Sequence, residues 1–182
     1  GIGNLTDYFI KYCVKNKINL TLCDIPEVIN ILKKKYSKVE NINFLGKEFQ
    51  EEKIKKKFDK ILCYSVIQYV NDPKFFIKKI LNILSIEGKI LIGDIPNINK
   101  KYRFLKSNFG KKFEEKRINN KIEIKNMKTF LKLTKQNKLI NDEFINFIIS
   151  YSRKKNRNSI IMKQPIKLPF SYTREDVLIE EI

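Results

Sequence analysis

The chain has 182 residues, 42% of them hydrophobic, and a formal charge of +18 from 38 Lys plus Arg against 20 Asp plus Glu. That length suits one domain with its own core, and no apolar run reaches the roughly 18 residues of a membrane-spanning helix. The absence of histidine removes Ser-His and Cys-His triads, and the scattered Cys13, Cys23 and Cys63 exclude a disulfide scaffold and a zinc module of ordinary spacing.

The charge excess is mostly lysine. Only Arg103, Arg117, Arg153, Arg157 and Arg174 are arginines, and the abundance of Lys, Ile and Asn with no Ala or Trp is the usage an AT-rich genome imposes. Arginine is the residue best suited to bidentate phosphate and base contacts, so its scarcity weakens the nucleic-acid reading. The densest basic stretch, Lys100 to Arg117, is interleaved with Tyr102, Phe104, Phe109 and Phe113. It suits either an anionic substrate or the solvated side of an amphipathic helix.

Taken in order, Leu5, Tyr8, Phe9, Tyr12 and Cys13 recur at helical spacing and predict an inward-facing helix from about Asn4 to Asn16. Ile18 to Cys23 reads as a buried strand ending on Asp24, and Pro26 opens a helix through Ile29 and Leu32 to Lys35. Asn41 to Leu45 is a short strand turned by Gly46, and Lys47 to Lys57 is a loop or exposed helix. Phe58 to Ser65 is a further strand. Asp72 and Pro73 open an amphipathic helix whose inner side runs from Phe75 to Leu84, Glu87-Gly88 is a turn, and Lys89 to Gly93 is a strand ending on Asp94.

This alternation predicts an α/β, doubly wound fold. The four strand ends near Asp24, Leu45, Ser65 and Asp94 are expected along one edge of a single, mainly parallel sheet. Residues 98–158 read as a helical insertion or lid, and Ser159 to Met162 with Asp176 to Ile179 as a closing antiparallel hairpin. The whole of 1–182 is read as one domain. Tyr69 reads as a core residue.

Gly1-x-Gly3 opens a helix, and Asp24 closes the next strand 21 residues after Gly3. Glycines so placed let backbone approach a nucleotide-like cofactor, and the acid accepts hydrogen bonds from ribose hydroxyls. A nicotinamide site would want a third glycine where Thr6 stands, whereas an S-adenosylmethionine site would not.

On these residues the sequence resembles the class I S-adenosylmethionine-dependent methyltransferases, a Rossmann-like family. Gly1-Ile2-Gly3 resembles the end of that family's glycine loop, which implies that its first strand is missing from the start of this chain. The resemblance implies Asp24 on the cofactor ribose and Ile25 against adenine. Lys47 stands where the family often places an acid near the adenine amino group, so either Glu48 substitutes for that acid or adenine is held by backbone and apolar contacts alone. Phe58 to Val70 resembles the family's fourth strand and following loop, which implies Ser65, Val66 and Gln68 at the methionine end. Leu84 to Ile92 resembles its helix-to-fifth-strand turn. Gly93 to Asn97, Leu168 to Phe170 and Arg174 to Asp176 resemble a bacterial subgroup acting on sugars and surface polysaccharide.

The expected activity is therefore methyl transfer to a small-molecule acceptor, a sugar or sugar-nucleotide hydroxyl in the first instance and anionic if the basic stretch serves it. Asp94 is expected as acceptor-side base or substrate anchor, since open α/β sheets bind ligands at the carboxyl ends of their strands. The alternatives are an RNA or DNA methyltransferase and a noncatalytic subunit that keeps only the fold. With no metal expected and no leader visible, a cytoplasmic location is the expectation, and the oligomeric state is open.

Overall fold

The computed structural model describes residues 1–118, 126–134 and 140–182. Its first unit, Gly1–Lys55, contains α1 (Asn4–Lys15), β1 (Leu20–Cys23), α2 (Pro26–Tyr36) and β2 (Ile42–Leu45). β1 and β2 pair in parallel, with Leu20 opposite Ile42 and Cys23 opposite Leu45. Ile10, Cys13, Leu20, Ile29, Leu32 and Tyr36 form the core between this ladder and the helices. Asp7 accepts a hydrogen bond from the Tyr36 hydroxyl at 2.6 Å and pairs with Lys35, tying α1 to α2.

Only part of the face expected of α1 is buried. Leu5, Tyr8 and Tyr12 are exposed, while Ile10 and Cys13 are buried. Phe9 packs half-buried against the same core, so Phe9 and Cys13 of the expected residues face inward with Ile10 beside them. Residues 47–57 form a loop, not a helix.

The second unit, Lys56–Ile182, contains β3 (Phe58–Tyr64), a 3₁₀ turn at Ile67–Tyr69, α3 (Pro73–Asn82) and β4 (Leu84–Pro96). There follow α4 (Ile98–Lys106), α5 (Asn108–Ile118), α6 (Met127–Thr134), α7 (Asp142–Lys154), β5 (Arg157–Lys163) and β6 (Arg174–Glu181). The strand order is β3-β4-β6-β5, parallel between β3 and β4 and antiparallel between the others. The closing hairpin is thus present, with Ile161 opposite Val177.

The fold is α/β and Rossmann-like, but the four expected parallel strands lie in two sheets, not one. No described strand pairs with β3 on its outer side, so β3 is the edge of its sheet. Asp72 caps α3 as expected, accepting from the Phe75 amide at 2.9 Å. The expected turn at Glu87-Gly88 lies within β4 as an irregularity: the register with β3 passes from Phe58 opposite Leu84 to Lys60 opposite Lys89, so four residues, Ser85 to Gly88, stand against Asp59 alone. Arg157, nearly buried, clamps that irregular stretch by donating to the Ser85 carbonyl at 2.5 Å and the Gly88 carbonyl at 3.0 Å. Of the helical stretch expected over 98–158, residues 119–125 and 135–139 lie outside the described residues, and the rest supplies α4 to α7 and the start of β5. Among the described residues, no helix is long and apolar enough to cross a membrane, and no cluster of acids or cysteines could hold a metal ion.

Candidate cofactor and acceptor sites

In the first unit the glycine loop meets the acid at the end of β1. The Gly1 nitrogen donates to one Asp24 carboxylate oxygen, and the Ile25 amide donates to the other at 2.9 Å. Gly3 caps α1 in an ordinary extended conformation, and a Cβ built on Gly1 or Gly3 would have no atom within 4 Å. The fold itself does not require glycine at either place, since a side chain there would meet open space. Ile25 remains 44% exposed beside Asp24, an apolar surface for a planar base. The Asp24 amide donates to the Leu45 carbonyl at 3.2 Å, so Asp24 and the turn holding Glu48 share the carboxyl ends of β1 and β2. Glu48 is exposed there, its carbonyl accepting from the Glu51 amide at 2.9 Å. The structure therefore groups Gly1, Gly3, Asp24 and Ile25, with Glu48 beyond the neighbouring strand.

In the second unit the carboxyl ends of β3 and β4 carry Ser65 and Asp94, both with left-handed backbone, at φ 55° and 60°. Such a conformation costs a non-glycine residue roughly 1–3 kcal/mol and persists only where its surroundings impose it. A bulge imposes it on Asp94: the β4–β6 register passes from Ile92 opposite Val177 to Ile95 opposite Glu175, leaving two residues against Asp176 alone. The Asp94 amide, withdrawn from the ladder, donates to the Asp176 carboxylate at 2.8 Å. Gly93 is required here, because a Cβ would lie 2.3 Å from the Tyr64 ring.

The bulge aims the Asp94 side chain at a group of donors. Its Oδ2 accepts from the Ser65 hydroxyl and from Arg174 Nη1 at 2.7 Å, whereas Oδ1 receives only Gln164 Nε2 at 3.4 Å. Gln164 is buried and also donates to Asp176 at 2.9 Å. Burial, with Asp176 and Asp94 nearby, pushes the Tyr64 phenol up, so it stays protonated at neutral pH. Gln68 donates to the Ser65 carbonyl at 3.1 Å, and Val66 is 41% exposed. Tyr69, expected in the core, is 77% exposed at the end of the 3₁₀ turn.

Next along β4, Asn97 is almost fully buried and saturated. Its Oδ1 caps α4 at the Asn99 and Lys100 amides, and its Nδ2 donates to Asp142 at 2.8 Å and Glu175 at 2.9 Å. Lys100 donates to the Arg174 carbonyl at 2.6 Å; burial pushes its ammonium pKa down, and Glu175 opposes that shift. A cavity of about 120 Å³ opens beside this group, between α4, α5 and the segment leading into β6. Phe104, Phe113, Phe170, Tyr172 and Arg174 line it, with Lys101 and Glu114 among its charged groups. Asp94 was legible as a strand-end acid. Gln164 carried no signal as a site residue, and Asn97, Arg174 and Asp176 only through the subgroup resemblance.

Comparison with known proteins decides the family. A model described as a methyltransferase domain matches residues 1–92, half of the chain. The chain belongs to this family. The match covers every residue from Gly1 to Gln68 singled out for a cofactor and stops before Asp94. A malonyl-[acyl-carrier protein] O-methyltransferase of Bacillus anthracis is 26% identical over 108 residues, 59% of this chain and 39% of that protein. The chain thus spans well under half the length of that curated relative. Among solved structures, the plantazolicin methyltransferase BpumL, in complex with a triazolic desmethylPZN analog and SAH, aligns with a TM-score of 0.60 at 17% identity, covering 99% of this chain and 73% of that one. The methyltransferase domain of bacterial CtHen1 aligns with a TM-score of 0.60 at 12% identity, over 98% and 84%. These likenesses place the fold among the class I S-adenosylmethionine-dependent methyltransferases.

Proposed function

We propose that this protein transfers a methyl group from S-adenosylmethionine to a small-molecule acceptor, a sugar or sugar-nucleotide hydroxyl being the class to test first. The observation that carries the reading is the acid Asp24 at the carboxyl end of β1, beside the half-exposed apolar Ile25 and glycines at which a side chain would meet open space. Asp24 would hold the ribose hydroxyls, Ile25 would pack on the adenine, and Glu48 would serve the adenine amino group. Ser65, Val66 and Gln68 are the candidates in the second unit. The methyltransferase-domain family, and SAH bound in the BpumL structure, support this cofactor.

When bound, S-adenosylmethionine supplies a methyl group on a sulfonium centre, ready for in-line displacement. The chain's own task is to hold the acceptor oxygen about 3 Å from that carbon, exclude water and receive the hydroxyl proton. Asp94 suits the last role: Arg174 and Ser65 fix its Oδ2, and Oδ1, with one long contact, keeps a lone pair for the proton. With Tyr64 held protonated, the nearest phenol is no rival base.

The test gives the full-length protein labelled S-adenosylmethionine with sugar nucleotides in one tube and total RNA in another. Label in a sugar nucleotide supports the reading. Label in RNA alone would replace it with the nucleic-acid alternative. Failure of SAH to bind by calorimetry would leave a noncatalytic member of the fold.

A further inference from the structure

We propose that the cavity between α4, α5 and the segment leading into β6 is a base subsite for a pyrimidine nucleotide, the non-reacting part of the acceptor. This rests on the reading of Asp94 as the acceptor-side group. Size comes first: an engineered apolar cavity of roughly 150 Å³ takes up benzene, and this one, at about 120 Å³, holds a single six-membered ring. A fused two-ring purine would project from it into solvent.

The walls select a planar ring. Phe104 stacks on Tyr172 with centroids 5.2 Å apart and planes 8° from parallel, and Phe113 meets both edge-on at 5.7 and 5.6 Å. Phe170 adds a half-exposed ring on which the Arg174 guanidinium lies at 4.9 Å. Offset and edge-on aromatic contacts favour an aromatic guest over a puckered, hydroxyl-covered sugar ring.

Charge separates a base from a phosphate. Inside the cavity Lys101 and Arg174 stand against Glu114, and the Arg174 charge is met by Asp94, so the interior suits a neutral ring. Outside it, the same two helices present Lys106, Lys111, Lys112 and Lys116, all exposed, where phosphates of a nucleotide would be screened by cations. Arg174 connects the two ends of such a ligand, touching both the ring subsite and Asp94.

The test measures binding of UMP, AMP and an oligouridylate to the full-length protein by calorimetry, with SAH binding recorded on the same preparation. UMP should bind at least tenfold more tightly than AMP. Tyr172→Leu should weaken UMP at least tenfold while Tyr172→Phe, which keeps the ring, should not, and neither should change SAH affinity. No UMP binding by protein that binds SAH would overturn the subsite while leaving the cofactor reading intact. Equal affinity for AMP, or binding of the oligouridylate alone, would overturn it as well.

Discussion

Arg174 Nη1 donates to the Asp94 carboxylate at 2.7 Å and to the Asp94 carbonyl at 3.2 Å, so one guanidinium fixes both the side chain and the backbone of a left-handed residue. Both side chains are about one-fifth exposed, and removing one partner leaves the other charge poorly solvated. Arg174→Met is expected to lower unfolding stability by roughly 1–3 kcal/mol, after allowance for that exposure. Asp94→Asn keeps an acceptor for Ser65 and Arg174 but cannot take a proton, and should lower kcat far more than cofactor affinity. Denaturant titration checks the first and steady-state kinetics the second; an unchanged kcat would reduce Asp94 to a structural anchor.

Asp24 offers a cleaner test of the cofactor. Asp24→Ala should weaken S-adenosylmethionine binding by roughly 1.5–3 kcal/mol, the range for a hydrogen bond to a charged group, and Asp24→Asn by less. Calorimetry reads both. An unchanged Kd for the alanine variant would return Asp24 to a helix-capping role before Pro26.

Two glycines make a contrasting pair. Gly3→Ala adds a methyl group with nothing within 4 Å and should leave the melting temperature unchanged while lowering SAH affinity. Gly93→Ala puts a carbon 2.3 Å from the Tyr64 ring and should destabilise by about 1–3 kcal/mol, the usual cost of overpacking. Tyr64→Leu in the Gly93→Ala background should recover part of that loss. Melting curves for the three variants, with SAH titration of Gly3→Ala, decide whether each glycine serves ligand or fold.

What was legible in the sequence was local. Asp72-Pro73 announces its helix because the cap and its amide are three residues apart, and Asp24 and Asp94 show as acids closing apolar runs. What was not legible is carried by distant partners. Arg157 clamps the irregular stretch from Ser85 to Gly88 from 69 residues away, and Arg174, Asp176 and Gln164 reach Asp94 only through the antiparallel pairing of the closing strands. α1 shows the same limit, since spacing groups Leu5, Tyr8 and Tyr12 with Phe9 and Cys13, and only the last two meet the core.

The acid limb of stability should be governed partly by the Asn97 hub. The guanidinium of Arg103, bonded to both Asp142 oxygens at 2.5 and 3.1 Å, holds that carboxyl below its usual range, and Asn97 adds to the effect. A carboxyl whose folded pKa is lowered stabilises above its unfolded value of about 4, and that contribution is lost as pH falls through the folded value. Asp142→Asn should therefore flatten the decline of melting temperature in acid. Asn97→Asp works with the opposite sign. It places a carboxyl where Nδ2 now lies 2.8 Å from Asp142 and 2.9 Å from Glu175, so that the new group is held protonated and its pKa raised. The variant's deficit should be largest at neutral pH and shrink as pH falls towards 4, and thermal melts from pH 7 to pH 4 check it. A deficit that does not change with pH would show that lost capping of α4, not repulsion among the carboxylates, is what the substitution costs.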